Sequence, residues 1–301
     1  MRADRRGRMS EFTMQVGDAE IIAVTDMNII YPRPLPELFP AVPVEAWDAY
    51  REEFADTFAG NHIRLEIGCY VVRSQGRTIL IDTGYGPGPI EGELGQLMDN
   101  LSAAGVEAGD VDVVFFSHLH PDHTGWNTVW GEAEEIPTEP TFPNARYVVH
   151  ELDLEHFRKP ETQAAMSFPF MYRDVEPLDT LGILDTIDED TNLTPEVRAV
   201  HTPGHTPGHM SVVVESGGQD AIIQGDIFIH PAQVVEDEWN CIFDVDWPLA
   251  TEVRRKMLDD AADKGTPLIS CHFPLPGFGR IGRKGGKRYY QVGLDIMPVN
   301  N

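Results

Sequence analysis

The run Val111-Asp112-Val113-Val114-Phe115-Phe116, followed at once by Ser117-His118-Leu119-His120-Pro121-Asp122-His123-Thr124-Gly125, decides how this chain is read. The first part is nearly all apolar and reads as a strand buried on both faces. It ends where three imidazoles and a carboxylate, His118, His120, Asp122 and His123, stand within six residues. A single histidine is most often a core or surface group. Four such groups at the carboxyl end of one strand can all be aimed at one point by a turn, and they read as a site for a divalent zinc, iron or manganese ion.

Outward from this point the chain alternates strand and helix signals. Before it come strand-like runs at Phe12 to Val16, Glu20 to Thr25, Ile63 to Val72 and Thr78 to Ile81, the last two joined by the turn residues Ser74-Gln75-Gly76. A helical pattern uses Leu94, Leu97, Met98 and Leu101 and closes at Gly105. After it come strands at Arg146 to Val149, Val197 to Val200, Ser211 to Glu215, Ala221 to Gln224 and Pro267 to Cys271. A helix is expected from Pro248 to about Lys264, with Leu249, Val253, Met257 and Ala261 inward and Gly265 as its stop. Helices at intervals between strands predict a layered α/β domain with helices outside.

Two segments stand apart from that pattern. Residues 31–61 open with five prolines between Pro32 and Pro43 and then turn helical from Val44 to Phe58. Residues 152–178 mix helix with Phe168, Pro169, Phe170, Met171 and Tyr172. They read either as connecting loops or as insertions that wall a pocket or bury a subunit contact, because apolar loop residues must be covered by something.

The chain has 301 residues, 49 acidic and 23 basic, for a formal charge of −26. That balance argues against nucleic acid and anionic membranes, which require a basic face. With 42% apolar and 24% charged residues it is the composition of a folded globular domain, read here as one domain over 1–301 with residues 1–10 flexible. The basic amino end lacks a following apolar run, so neither signal peptide nor anchor is expected and the chain is placed in the cytoplasm. Cys69, Cys241 and Cys271 lack the spacing of a disulfide or zinc-ribbon framework and read as buried thiols, with Cys271 set apart by its place before His272.

His-x-His-x-Asp-His after a buried strand resembles the metallo-β-lactamase superfamily, and more of the chain carries the resemblance in the same order. It includes Ile81-Asp82-Thr83-Gly84, Thr202-Pro203-Gly204-His205-Thr206-Pro207-Gly208-His209, Gly225-Asp226 and Ser270-Cys271-His272. The resemblance implies an αββα sandwich of two β-sheets flanked by helices, holding two divalent ions, zinc first with manganese, iron or cobalt as alternatives. His118, His120 and His205 would hold one ion, Asp122, His123 and His272 the other, and Asp226 would bridge them. His209, His201 and His150 are then structural or support a ligand, and Asp82 would hydrogen-bond a ligand histidine.

Two such ions would share a water and generate a hydroxide nucleophile near neutral pH, with Asp122 or Asp226 taking its proton. Within the superfamily the resemblance is strongest to acyl-homoserine-lactone lactonases and to methyl-parathion-hydrolase-like and arylesterase relatives. It implies hydrolysis of small lactones or esters, with organophosphate triesters as the alternative. Those lactonases place a tyrosine three residues after the bridging aspartate, where this chain has Ile229. Either Tyr85 or Tyr172 replaces that donor or the substrate differs. Phe228, Ile229, Phe273 and Phe278 are candidate pocket residues beside them.

The cluster Arg280, Arg283, Lys284, Lys287 and Arg288 reads as a solvated face, or else as a patch attracting a carboxylate. Iron-dependent relatives on the same scaffold are the competing class. Flavodiiron proteins carry Glu where this chain has His120, and a flavin domain like theirs is not expected after residue 301. Persulfide dioxygenases keep the histidines but use one iron. The expected partner is a small-molecule substrate, and a homodimer is left open.

Overall fold

The structure is a computed structural model and describes residues 12–129, 139–166 and 169–293. The expected flexibility of residues 1–10 and the place of Phe168 lie outside the described residues. Ten strands precede residue 190: β1 (Thr13–Val16), β2 (Ala19–Ile30), β3 (Phe58–Ala59), β4 (His62–Ser74), β5 (Arg77–Ile81), β6 (Pro89–Ile90), β7 (Glu93–Leu94), β8 (Val113–Phe115), β9 (Arg146–His150) and β10 (Leu184–Ile187). Apart from the small β6–β7 hairpin they form one sheet in the order β1-β2-β4-β5-β8-β9-β10, with β3 paired to β4.

Seven more follow: β11 (Thr191–Thr194), β12 (Val197–His201), β13 (Met210–Ser216), β14 (Gln219–Ile223), β15 (Leu268–Ile269), β16 (Phe278–Lys284) and β17 (Lys287–Val292). They form a second sheet in sequence order. The helices are α1 (Leu35–Leu38), α2 (Leu97–Ala103), α3 (Glu151–Arg158), α4 (Pro160–Ala165), α5 (Glu176–Thr180) and α6 (Trp247–Lys264).

Alternation along the strands sorts their side chains into layers. Ile21, Val72, Ile79 and Phe115 of the first sheet meet Val197, Val212, Ala221 and Ile269 of the second in an inter-sheet core. On the other face of the first sheet, Val71, Leu80, Val114 and Val149 pack on Leu97 and Leu101 of α2 and Leu154 and Phe157 of α3. Outside the second sheet, Leu268 and Ile281 join Leu258 and Ala261 of α6 and the aromatic residues Phe39, Trp47, Tyr50 and Phe54 of the 31–61 segment. The result is the αββα sandwich.

Parallel pairings set the working end of this sandwich. β5, β8, β9 and β10 run parallel, and so do β14 and β15. Their carboxyl ends form one rim, and side chains just past Ile81, Phe115, Ile223 and Ile269 share it, as is usual for ligand sites in open α/β sheets.

Several expectations need correction. The pattern at Leu94 is not helical: Leu94 belongs to β7, and α2 starts only at Leu97, because Asp26 accepts the N–H groups of Gln96 and Leu97 at 3.0 Å. Residues 44–58 form two short 3₁₀ turns, Val44–Ala49 and Ala55–Thr57, since Trp47 packs edge-on to Phe39 and Phe58 instead of lining a helical stripe. In α6 the buried stripe is Ala250, Arg254, Leu258 and Ala261, while Leu249, Val253 and Met257 are half-buried. With an inward arginine the first three positions of the face shift by one residue, and Ala261 stays inward as expected.

Candidate metal centre

The turn after β8 carries His118, His120, Asp122 and His123, and the loops after β12, β14 and β15 bring His205, Asp226 and His272 to it. All seven residues meet at the rim. Imidazole nitrogens of His118, His120 and His205 form one set close enough to hold a cation, and His123, Asp226, Cys271 and His272 form a second. Asp226 stands between them. Its Oδ2 lies 3.0 Å from His272 Nε2, 3.6 Å from His205 Nε2 and 3.8 Å from His118 Nε2, and its Oδ1 lies 3.7 Å from His123 Nε2. Asp122 Oδ2 is 3.5 Å from His272 Nε2 and 3.6 Å from His123 Nε2.

Groups behind the rings decide where their protons sit. The Ser117 hydroxyl donates to Asp82 Oδ2 at 2.7 Å, so it accepts from His118 Nδ1 at 3.1 Å and leaves His118 Nε2 a bare lone pair. His205 Nδ1 donates to Asp244 Oδ1 at 2.9 Å, with the same consequence for its Nε2. Both lone pairs face His120 Nδ1, at 2.9 and 3.0 Å, and that atom has at most one proton to share. In the second set His123 Nδ1 donates to Asp82 and His272 Nδ1 to the Glu66 carbonyl, both at 2.9 Å. His123 Nε2 is then a buried nitrogen without a hydrogen-bond partner. A cation fits both sets, because it satisfies these converging lone pairs.

Electrostatics divides the two sets. Burial, reinforced by neighbouring histidines, holds His118 and His120 well below the ordinary imidazole value, so both are neutral donors. Burial acts the same way on His123, but Asp122, Asp82 and Asp226 outweigh it and push the ring up. Asp226 is buried yet held well below the ordinary carboxylate range by His272 and His123. The second set therefore draws positive charge, as protons or as a metal.

Local backbone serves this arrangement. Asp82 sits at φ 61°, in the left-handed region that aspartate tolerates, and from there takes the Ser117 N–H at 2.8 Å as well as the hydroxyl. Gly225 has φ 63°, and a Cβ there would stand 2.5 Å from His209 Nε2. That nitrogen accepts the Asp226 N–H at 2.9 Å. His209 thus supports Asp226 from behind. His150 and His201 instead stack on each other at 4.4 Å, away from the centre.

Asp153 and Asp244 went unread in the sequence. Asp153 is fully buried and accepts from Leu119 N, Thr206 Oγ1 and Gly208 N, which ties the two histidine-bearing loops together. Acids flanked by apolar residues, as in Leu152-Asp153-Leu154 and Phe243-Asp244-Val245, were the available signal. The three cysteines are buried and free, and Cys271 Sγ donates to Asp226 Oδ1 at 3.1 Å.

A cavity of about 570 Å³ opens on the centre, in the range that holds small ligands. His120, Asp122, Asp226 and His272 form part of its lining. Tyr31, Leu65, Ile229, Ile242, Phe243 and Val245 supply apolar wall, and His156, Thr162 and Met166 face them with Glu161 and Arg33 also in the lining. Of the proposed pocket residues, Tyr85 and Ile229 line this cavity. Tyr172 does not, being 51% exposed. Phe228, Phe273 and Phe278 are corrected as well: Phe228 packs on Phe273, Phe273 on Tyr290 and Phe278 on Tyr70, all inside the core. Proximity in sequence to a ligand does not fix which side of the chain a ring takes.

The basic cluster lies elsewhere. β16 and β17 form a hairpin, Arg283 pairs with Asp259 and Asp263 of α6, and Arg288 pairs with Asp259 and Asp237. Arg280 donates to the Gly265 carbonyl. None of the five lines the cavity, so a carboxylate-attracting role there is withdrawn. No helix among the described residues is long and apolar enough to cross a membrane.

An N-acyl homoserine lactonase from Bacillus sp is 27% identical over 175 residues, covering 52% of this chain. The matched stretch spans 61% of that relative's length. The hydrolase AbOPH of the beta lactamase superfamily has a similar structure, with a TM-score of 0.79 at 24% identity over 93% of this chain and 96% of its own. AidC, a dizinc quorum-quenching lactonase solved with a homoserine product, has a TM-score of 0.76 at 24% identity over 92% and 95%. At these identities the structural likeness shows the fold. Residues 65–264 match the family described as the metallo-beta-lactamase superfamily, from within β4 to the last residue of α6. Two sheets that meet at a rim of histidines, and a family match running through both of them, describe one object: this chain belongs to the metallo-beta-lactamase superfamily.

Proposed function

We propose that the chain is a dinuclear metal-dependent hydrolase of small lactone or ester substrates. The observation that carries the proposal is the pair of ligand sets facing one carboxylate, Asp226, at a cavity sized for a small molecule. His118, His120 and His205 would hold one divalent ion and Asp122, His123 and His272 the other, with the Asp226 carboxylate facing both sets and zinc as the first candidate. Bound divalent ions of this kind acidify water toward neutral pH and polarise a carbonyl or phosphoryl oxygen.

The residues divide the remaining work. Asp122 lies in the cavity lining and is placed to accept a proton from an attacking water. Tyr85 offers a phenol on the same wall, and Ile229, Ile242 and Phe243 receive the apolar part of the substrate. Lactone substrates are supported by the relatives named as lactonases. Aryl esters and organophosphate triesters are the second reading, favoured by the apolar Ile229 beside the centre.

A substrate panel on metal-reconstituted protein tests this. Acyl-homoserine lactones, γ- and δ-lactones, aryl esters, paraoxon-type triesters and thioesters are compared at equal metal content. Turnover of lactones or aryl esters is expected, with loss on Asp226→Ala. Inactivity on every lactone and ester, or oxygen uptake with glutathione persulfide in an iron-loaded sample, would replace the proposal with a different chemistry.

A further inference from the structure

Arg254 is the one charged side chain on the inner stripe of α6, and it is fully buried. Burying a guanidinium costs several kcal/mol unless its donors are satisfied. Here they are. Nε donates to the Ile227 carbonyl at 2.7 Å, and Nη1 to the Asp237 carbonyl at 2.9 Å, the Trp239 carbonyl at 3.3 Å and Asn240 Oδ1 at 3.1 Å. Nη2 reaches Asp244 Oδ2 at 3.2 Å. Every acceptor belongs to the loop between Asp226 and α6.

That loop does two things at the centre. Asp244, also fixed by the Cys241 N–H at 3.1 Å, turns its other oxygen to His205 Nδ1 at 2.9 Å. Ile242, Phe243 and Val245 on either side of it form one wall of the cavity. The loop is laced to the His205 turn by Val245 N to His205 O at 3.0 Å and Asp246 N to Gly204 O at 2.9 Å. Gly204, at φ 133°, lets the turn lie against α6, where a Cβ would meet Ala250 Cα at 2.5 Å. One side chain thus reaches both a metal-facing histidine and the substrate wall.

We propose that Arg254 is a positioning residue of this centre, acting through Asp244 on His205 and through main-chain carbonyls on the Ile242–Val245 wall. The inference rests on the metal reading above and assigns Arg254 no contact with substrate. A rigid planar fork is what the arrangement uses, since a lysine at this position would offer one ammonium in place of three nitrogens pointed at separate acceptors. The influence is one-sided: Arg254 reaches the His118/His120/His205 set only through Asp244, which binds His205, whereas His123 and His272 are oriented by Asp82 and Glu66.

Zinc titrations of the full chain with a competing chelator test this, on wild type, Arg254→Lys, Asp244→Asn and Arg255→Gln, alongside thermal unfolding of each metal-free protein. Arg255 pairs with Asp237 and Glu238 on the same loop but at the surface, so it controls for loop anchoring alone. Arg254→Lys and Asp244→Asn are expected to weaken one of two zinc equivalents by about 10–100-fold and leave the other in place. Arg255→Gln should bind as wild type does. On a hydrolysed ester, Arg254→Lys should raise KM more than Asp244→Asn, because of the two only the arginine binds the loop carbonyls of Ile227, Asp237 and Trp239. Asp244→Asn keeps the side-chain volume, so the metal arm is read even where Arg254→Lys does not fold. Two unchanged equivalents in both variants, or equal weakening of both in step with a falling Tm, would overturn the inference and leave the hydrolase proposal standing. Wild-type protein that binds no zinc would overturn both.

Discussion

His123 Nδ1 lies 2.9 Å from Asp82 Oδ2, and the same carboxylate takes both the N–H and the hydroxyl of Ser117, whose oxygen in turn accepts from His118. One aspartate therefore orients a histidine in each ligand set. Asp82→Ala should weaken both zinc equivalents, by about 10–100-fold each, where Asp244→Asn weakens one. A chelator-competition titration distinguishes the two patterns, and a loss confined to a single equivalent would contradict the shared role.

Tyr85 is fixed from behind and free in front. Its N–H is held by Asp26 Oδ2 at 2.8 Å, its ring lines the cavity, and its hydroxyl has no hydrogen-bond partner among the described residues. Burial pushes the phenol well above its ordinary value, so it stays a proton donor across the working pH range. Tyr85→Phe is expected to lower kcat about 10-fold, the worth of one hydrogen bond, with metal content and Tm unchanged. Steady-state kinetics on the best substrate of the panel decide it; an unaltered kcat assigns the phenol to packing.

Gly225 occupies a left-handed conformation with His209 directly over its missing side chain. Gly225→Ala combines backbone strain with a clash against the ring that supports Asp226. A loss of about 2 kcal/mol, or roughly 4–8 °C in Tm for a domain of this size, is expected in the metal-free protein. Differential scanning calorimetry measures it, and a variant as stable as wild type would show that the loop relaxes freely.

His230 gives the fold a pH dependence from within its aromatic core. It lies among Trp47, Phe54 and Phe58, its Nδ1 accepts the Ala232 N–H and its Nε2 is 2.7 Å from Thr57 Oγ1. Burial pushes the ring from its ordinary 6.5 down to about 3. Between those values the unfolded chain binds a proton that the folded chain refuses. The stability contribution is complete above pH 6.5 and is lost as pH falls toward 3, by about 1.4 kcal/mol per pH unit. Urea titrations across pH 4 to 7 should show a shallower slope for His230→Gln; parallel slopes would mean that the ring titrates normally.

The strand Val113–Phe115 announces His118, His120, Asp122 and His123 by itself, whereas His205, Asp226 and His272, which follow Val197–His201, Gln219–Ile223 and Leu268–Ile269, were picked out by the resemblance of their motifs to the metallo-β-lactamase superfamily. Strand ends are local signals. The groups that orient those residues are not, since Asp244 meets His205 across 39 residues and Glu66 meets His272 across 206. Polar edge strands such as Thr191–Thr194 carry no apolar alternation to reveal them. Phe278–Lys284 hid behind its glycines and basic residues, and its arginines read as a patch until their aspartate partners came into view. The cavity wall was least legible, because whether Phe243 faces substrate and Phe273 faces core depends on packing that no spacing encodes.

Among the described residues each sheet is woven from its own half of the chain, residues 13–187 in the first and 191–292 in the second, and no strand crosses over. The centre, by contrast, takes His118, His120, Asp122 and His123 from the leading half and His205, Asp226 and His272 from the trailing one. Neither half owns a complete ligand set. A cation bound there would act as a clasp between the two halves, adding its binding free energy to their docking.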